Sequence, residues 1–253
     1  MNPQNHASQQ ALLGRRVVVI GGTSGMGRAA ALAARRAGAH VFAAGRRALD
    51  QRAAGPGAPD PEFVHETVDI TDEASVKALF ERVGQLDHLL ITSTPPSKAP
   101  GRFLEQDVAS AREFMLGKFF GSWAAARWAA PRMTTAGSIT FVTGGAVERP
   151  RPGITLIAAT FAALENLTRG LAVELGPLRV NTIRPGYTDS DMWNSLDDRS
   201  REQLRQRVAA ALPARRMGSV DDIAQASLFL MTNPQVTGAV LEVTGGETLV
   251  DFI

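Results

Sequence analysis

A single doubly wound α/β domain, with about seven parallel strands flanked by helices, is predicted by three features of this 253-residue chain. Short unbroken apolar runs recur along it, the pattern of strands buried on both faces of a parallel sheet. Helix-forming stretches alternate with these runs, as parallel crossover connections require. Glycines at 21, 25 and 27 stand between the first apolar run and the first helix. With 44 % hydrophobic residues, a chain of this length can bury one large core.

Residues 17–20, Val-Val-Val-Ile, form the first strand, and the Ala-rich residues 28–36 form the first helix. Strand, glycine loop and helix together aim unpaired backbone N–H groups and the positive end of a helix at a phosphate. Gly21 lets the chain turn sharply, Gly25 lets backbone approach a pyrophosphate, and Gly27 lets the helix pack close on the strand. Thr23 and Ser24 add hydroxyl donors beside Met26. The unit is of the Rossmann type and points to a dinucleotide.

The spacing Gly21-x-x-x-Gly25-x-Gly27 resembles the loop of the short-chain dehydrogenase/reductase family, with Ile20 where that family usually has Thr. The resemblance runs over residues 12–250. Ala163-Leu164, Leu167-Thr168-Arg169, Leu171-Ala172 and Glu174-Leu175 match a long family helix, and residues 216–224 and 243–246 match its closing helix and strand. Pro185-Gly186, with Thr188 and Ser190 after it, resembles the family's nicotinamide-side turn.

Other chemistries are set aside by composition. The chain has no cysteine, which removes disulfides, thiolate metal sites and a Cys nucleophile. Its net charge is +2, its pI is near 9.5, and its aromatic content is 6 %, without a basic stripe, so no nucleic-acid partner is expected. No apolar run reaches the roughly 20 residues of a membrane span. Residues 1–11 read as a disordered lead-in rather than a signal peptide, residues 12–253 as the domain, and the cytoplasm as the compartment.

The chain in order supplies the remaining elements. Gly38 ends the first helix, and residues 40–44 are the second strand. By the family spacing, the acid that would bond a ribose 2′-hydroxyl is replaced by Gly45, and Arg46 and Arg47 follow. Two guanidiniums suit a 2′-phosphate, which implies NADP(H) over NAD(H); the plainer alternative is two solvated loop arginines. Residues 49–61 read as a shortened helix and loop, and residues 63–68 as the third strand. Asp69-Ile70 resembles the pair that borders the adenine, or else Asp69 serves as a cap. Thr71 or Asp72 caps a helix over 73–83. Residues 86–91 are the fourth strand, and Thr92-Ser93-Thr94 replaces the family's glycine turn, leaving Ser93 to contact the ribose. A long helix is expected over 114–133, strands over 138–142 and 179–183, and helices over 154–175 and 197–211. His65 and His88 fall in strand patterns and read as core or edge residues.

The resemblance implies carbonyl reduction, with hydride from a nicotinamide and a proton from a Tyr set one helical turn before a Lys. Those two positions are Ile157 and Phe161, both apolar, and the family's Asn position holds Lys118. Thr143 is the hydroxyl nearest the family's serine. The candidates for a rewired acid are therefore Thr143, Lys118 and Tyr187, the chain's sole tyrosine. A lysine against apolar walls becomes a proton donor near neutral pH, although a snorkelling surface lysine is equally compatible with the sequence. The competing functions are a silent NADP(H)-binding sensor or partner subunit, and non-redox dehydration or isomerisation in a pocket of Phe161, Met192 and Trp193. Apolar residues 157, 161, 164, 167, 171 and 175 share a helical face that the family commonly uses between subunits, which implies a homodimer or homotetramer.

Overall fold

The computed structural model describes residues 10–46, 63–94, 101–194 and 196–250. Arg47, residues 1–9 of the lead-in expected over 1–11, the helix expected over 49–61 and the side chain of Met192 lie outside the described residues. Nine strands occur among those described: β1 (Arg16–Ile20), β2 (His40–Gly45), β3 (Val64–Thr67), β4 (Leu86–Ile91), β5 (Met133–Val142), β6 (Arg179–Pro185), β7 (Thr188–Asp189), β8 (Gly218–Ser219) and β9 (Val240–Val243). Seven form one sheet in the order β3-β2-β1-β4-β5-β6-β9, every pair parallel, and β7 and β8 form a separate short pair.

Strand β1 shows why its apolar run is unbroken. Val17 and Val19 enter one core cluster, and Val18 and Ile20 enter the other on the opposite face. Helices α1 (Gly25–Arg36) and α7 (Val220–Thr232) cover the first face through Ala30, Ala34, Ile223 and Leu230. On the second face lie α2 (Glu73–Val83), α4 (Gly121–Ala129) and α5 (Thr155–Glu174), with α3 (Val108–Met115) preceding α4 and α6 (Asp198–Ala211) preceding α7. The strand order reverses between β1 and β4, so the crevice at their carboxyl ends is where such sheets bind ligands.

Local capping explains several boundaries. Asp72, not Thr71, caps α2 by accepting from the Ala74 amide at 2.9 Å. Asp107 caps α3 by accepting from the Ser110 amide at 2.6 Å. The helix expected over 114–133 is thus longer and interrupted: it starts at Val108 and passes through a π-turn, Leu116–Phe120, before α4. Strand β5 likewise begins at Met133 rather than 138, through an irregular stretch opposite Leu86. His88 is buried against Ser138, with Nδ1 and Oγ 2.9 Å apart, and burial pulls its pKa down to about 4.

Helix α5 corrects the expectation that no apolar run reaches membrane-spanning length. Its 20 residues include a window of mean hydropathy 1.2, long and apolar enough to cross a bilayer. In this fold it lies on the sheet, with Phe161, Leu164 and Thr168 buried and Glu165 inside a buried ion pair.

Candidate active site

The carboxyl ends of β1, β2 and β4 open into a cleft of 790 Å³. Gly21, Thr23, Ser24, Gly25, Met26 and Gly27 form one wall, Gly45, Arg46, Asp69 and Ile70 a second, and Thr92, Ser93 and Thr94 a third. The expected loop, ribose and adenine-side residues are therefore brought together. Pro185, Gly186 and Thr188 stand outside that lining, at and just beyond the end of β6, while Ser190 and Asp191 of the same segment line it.

The loop geometry follows from its glycines. A Cβ on Gly27 would overlap the Gly21 carbonyl oxygen, so α1 can lie this close to β1 only with glycine at 27. Gly25 has a φ of +50°, and its amide donates to Asp191 Oδ2 at 3.1 Å. Ser24, the N-cap of α1, makes no side-chain cap bond, and the first turn of α1 contains no acid. The charge that complements this helix end comes instead from the distant Asp191.

Arg46 is exposed at the end of β2, beside the half-buried Gly45. Asp69 accepts from the Thr71 hydroxyl at 2.7 Å and its amide at 2.9 Å. Those bonds, with a smaller contribution from Arg46, hold its carboxyl below the usual range. Asp69 thus makes an Asx-type turn and also borders the cleft. Ser93 Oγ is buried without a hydrogen-bond partner among the described residues. An orphaned donor and a glycine cradle in one cleft fit a dinucleotide that carries phosphate and ribose oxygens.

The three candidate proton donors differ sharply in setting. Lys118 is 1 % exposed, which removes the surface-lysine alternative. Its Nζ donates to the Ser93 carbonyl at 3.1 Å and lies 5.5 Å from the centre of the Phe161 ring. Burial alone pulls its pKa from 10.5 to about 7. Thr143 is buried and donates its hydroxyl to Glu165 Oε1 at 3.0 Å. Glu165 is itself gripped by Arg184 through Nε at 2.9 Å and Nη2 at 2.6 Å. Tyr187 is half-buried, and its Oη accepts from Arg151 Nη1 at 2.7 Å.

Phe161 packs with Phe114, against Val147, Leu156 and Ile157, in a small apolar cluster. Trp193 is not in that cluster; its ring stacks on Tyr187. Sequence reasoning missed Asp191, Glu113 and Val68 at the cleft and Arg151 and Glu247 beside Tyr187. An acid in the segment after Pro185-Gly186 was the visible trace of the first.

Comparison with known proteins agrees with this geometry. The family described as "Enoyl-(Acyl carrier protein) reductase" matches residues 21–248. Gluconate 5-dehydrogenase of Gluconobacter oxydans is 32 % identical over 257 residues, covering 97 % of this chain and 99 % of that protein. A small-chain dehydrogenase solved in complex with NADPH is 33 % identical with a TM-score of 0.81, covering 93 % of this chain and 99 % of the other. The reductase/Diels-Alderase MalC from Malbranchea aurantiaca has a TM-score of 0.84 at 27 % identity, covering 96 % and 99 %. The chain belongs to the short-chain dehydrogenase/reductase family and has its Rossmann-type nucleotide-binding fold.

Proposed function

We propose that the protein is an NADP(H)-dependent oxidoreductase acting on a small carbonyl- or hydroxyl-bearing substrate. The observation that carries this reading is the cleft, in which a glycine cradle runs to Gly45 and Arg46 with no acid at the ribose position. The NADPH in the 33 % identical relative supports the same cofactor. When bound, NADP(H) supplies or accepts the hydride. The loop amides with Thr23 and Ser24 hold phosphate oxygens, Arg46 the 2′-phosphate, and Asp69 and Ile70 the base edge. Ser93 serves the ribose, and Pro185, Gly186 and Thr188 serve the far end.

Ile157 and Phe161 stand where the family resemblance implies the Tyr and Lys, and neither can move a proton. Thr143 is committed to Glu165, so its role is to fix the end of β5. We assign proton donation to Tyr187, with Lys118 as a second proton-carrying group behind Ser93. The α5 face expected between subunits is turned to the core instead, with Phe161 and Leu164 buried and Leu167, Leu171 and Leu175 packed against the core cluster. The exposed Phe120, Trp123 and Val173 support a homodimer or homotetramer. A cytoplasmic setting belongs to the same reading.

The test is NADPH consumption by purified protein against a panel of ketones, aldehydes and imines, with identification of the reduced product. Consumption matched by product is expected. Tight NADPH binding without consumption on any of them would favour a silent sensor or partner subunit. A non-redox reading is favoured by the apolar cluster of Phe114, Leu156, Ile157 and Phe161, and by a relative titled both reductase and Diels-Alderase. Product formed without net cofactor consumption would establish it.

A further inference from the structure

Glu247 is a buried titratable group that the reading above leaves unused. It lies in the turn after β9, 3 % exposed, and its Oε2 has no hydrogen-bond partner among the described residues. Its Oε1 faces Arg151 Nη2 at 3.6 Å. The other arm of that guanidinium, Nη1, donates to Tyr187 Oη at 2.7 Å. The Tyr187 ring stacks on Trp193 with centres 6.1 Å apart and an interplanar angle of 13°. Trp193 Nε1 in turn donates to the Thr188 carbonyl at 2.9 Å, which fixes the stack to the main chain.

The backbone is cut to admit this carboxyl. A Cβ on Gly186 would lie 2.7 Å from Glu247 Oε2, and one on Gly145 would lie 3.2 Å from it. Gly186 therefore makes room for Glu247 as well as following Pro185. Arg149 Nη2 donates to the Thr248 carbonyl at 2.9 Å and ties the same loop to the same turn. Burial pushes the Glu247 carboxyl up, while Arg151, the Tyr187 amide and Arg149 pull it back. Segments following the neighbouring strands β5, β6 and β9 thus meet at the end of the sheet where ligands bind.

We propose that Arg151 and Glu247 are positioning residues that make Tyr187 the proton donor to the substrate oxygen. This rests on the reductase reading above. In the reductive direction the substrate carbon gains a hydride from NADPH, which becomes NADP⁺. The Tyr187 O–H bond breaks, a new O–H bond forms on the substrate oxygen, and the phenolate recovers its proton from solvent. The developing negative charge falls on an oxygen that a guanidinium already faces at 2.7 Å. Arg stays charged throughout, so the donor is oriented before the charge appears. Glu247 holds the second arm of Arg151 so that the first keeps its aim.

The chain's sole tyrosine makes the test clean. Ultraviolet resonance Raman of the cofactor-free protein reads the hydrogen bonding of that phenol directly. Arg151→Met should change the tyrosine marker band, and Arg151→Lys should restore part of it. With cyclohexanone as probe carbonyl, Tyr187→Phe should lower kcat by about 100- to 10,000-fold. Arg151→Met should lower kcat by about 100- to 1,000-fold with KM little changed and the pH profile displaced. Glu247→Gln should give a smaller loss in the same direction, and Arg151→Lys partial rescue. No NADPH consumption by the wild-type protein, or Tyr187→Phe at full turnover, overturns the donor reading itself. An impaired Tyr187→Phe beside an Arg151→Met with unchanged band, kcat and pH profile overturns the positioning roles.

Discussion

Asp191 accepts a hydrogen bond from the Gly25 amide at 3.1 Å, joining the glycine loop to a residue 166 positions later. In the proposed NADP(H) complex a pyrophosphate oxygen would take the Gly25 N–H, and two anions cannot share it. The chain thus places its own carboxylate where its ligand's charge would go, and it does so from the segment that follows β6.

Removing that carboxylate should strengthen cofactor binding. An exposed anion at such a helix end contributes about 0.3–1 kcal/mol. Asp191→Ala should therefore tighten NADPH by about 2- to 5-fold in a calorimetric titration. Equal or weaker binding would show that Asp191 does not compete for the loop.

Lys118 makes stability depend on pH in a definite direction. Its folded pKa, about 7, lies below the 10.5 of the exposed side chain. Between those values the unfolded chain binds the extra proton, so unfolding becomes harder as pH rises from about 7 toward 10.5. Below about pH 7 both states are protonated, and the lysine adds no slope. Lys118→Met should have a higher Tm at pH 7 and lose the rise above it, as measured by thermal melts across that range. Identical pH profiles for the two proteins would contradict the burial of Nζ.

Glu165 and Arg184 pair with side chains 4 % and 5 % exposed, and Thr143 donates to the same carboxylate. Breaking a buried pair from one side strands the other charge. Glu165→Ala should cost about 3–5 kcal/mol in denaturant unfolding. Glu165→Leu combined with Arg184→Met should cost much less, because Glu148 and Glu242, the remaining partners of Arg184, are partly solvated. A double variant as unstable as the single one would contradict this.

The glycine loop, the seven-strand sheet and the capped helices were legible because each depends on short-range chemistry: φ freedom, apolar runs and cap side chains. Lys118 was not, because its burial is produced by the π-turn and by Ser93 and Phe161 from other elements. The partner of the Thr143 hydroxyl, Glu165, lies 22 residues on and on another element, so spacing alone did not reveal it. Glu165 on the buried face of α5 and Arg184 in the fully buried β6 carried a faint signal, since a charge on a core face needs a partner. Asp191 and the Arg151–Tyr187–Glu247 contacts join residues too far apart in sequence for spacing to reveal.

The central claim is a dinucleotide cleft that selects the 2′-phosphate through Arg46. Calorimetric titration of the wild type and of Arg46→Ala with NADPH and NADH tests it most directly. A hydrogen bond to a charged group contributes about 1.5–3 kcal/mol. The wild type should therefore prefer NADPH by at least about 10-fold, and Arg46→Ala should weaken NADPH by about 10- to 100-fold while leaving NADH unchanged. Equal affinity of the wild type for both cofactors, or binding of neither, would contradict the account.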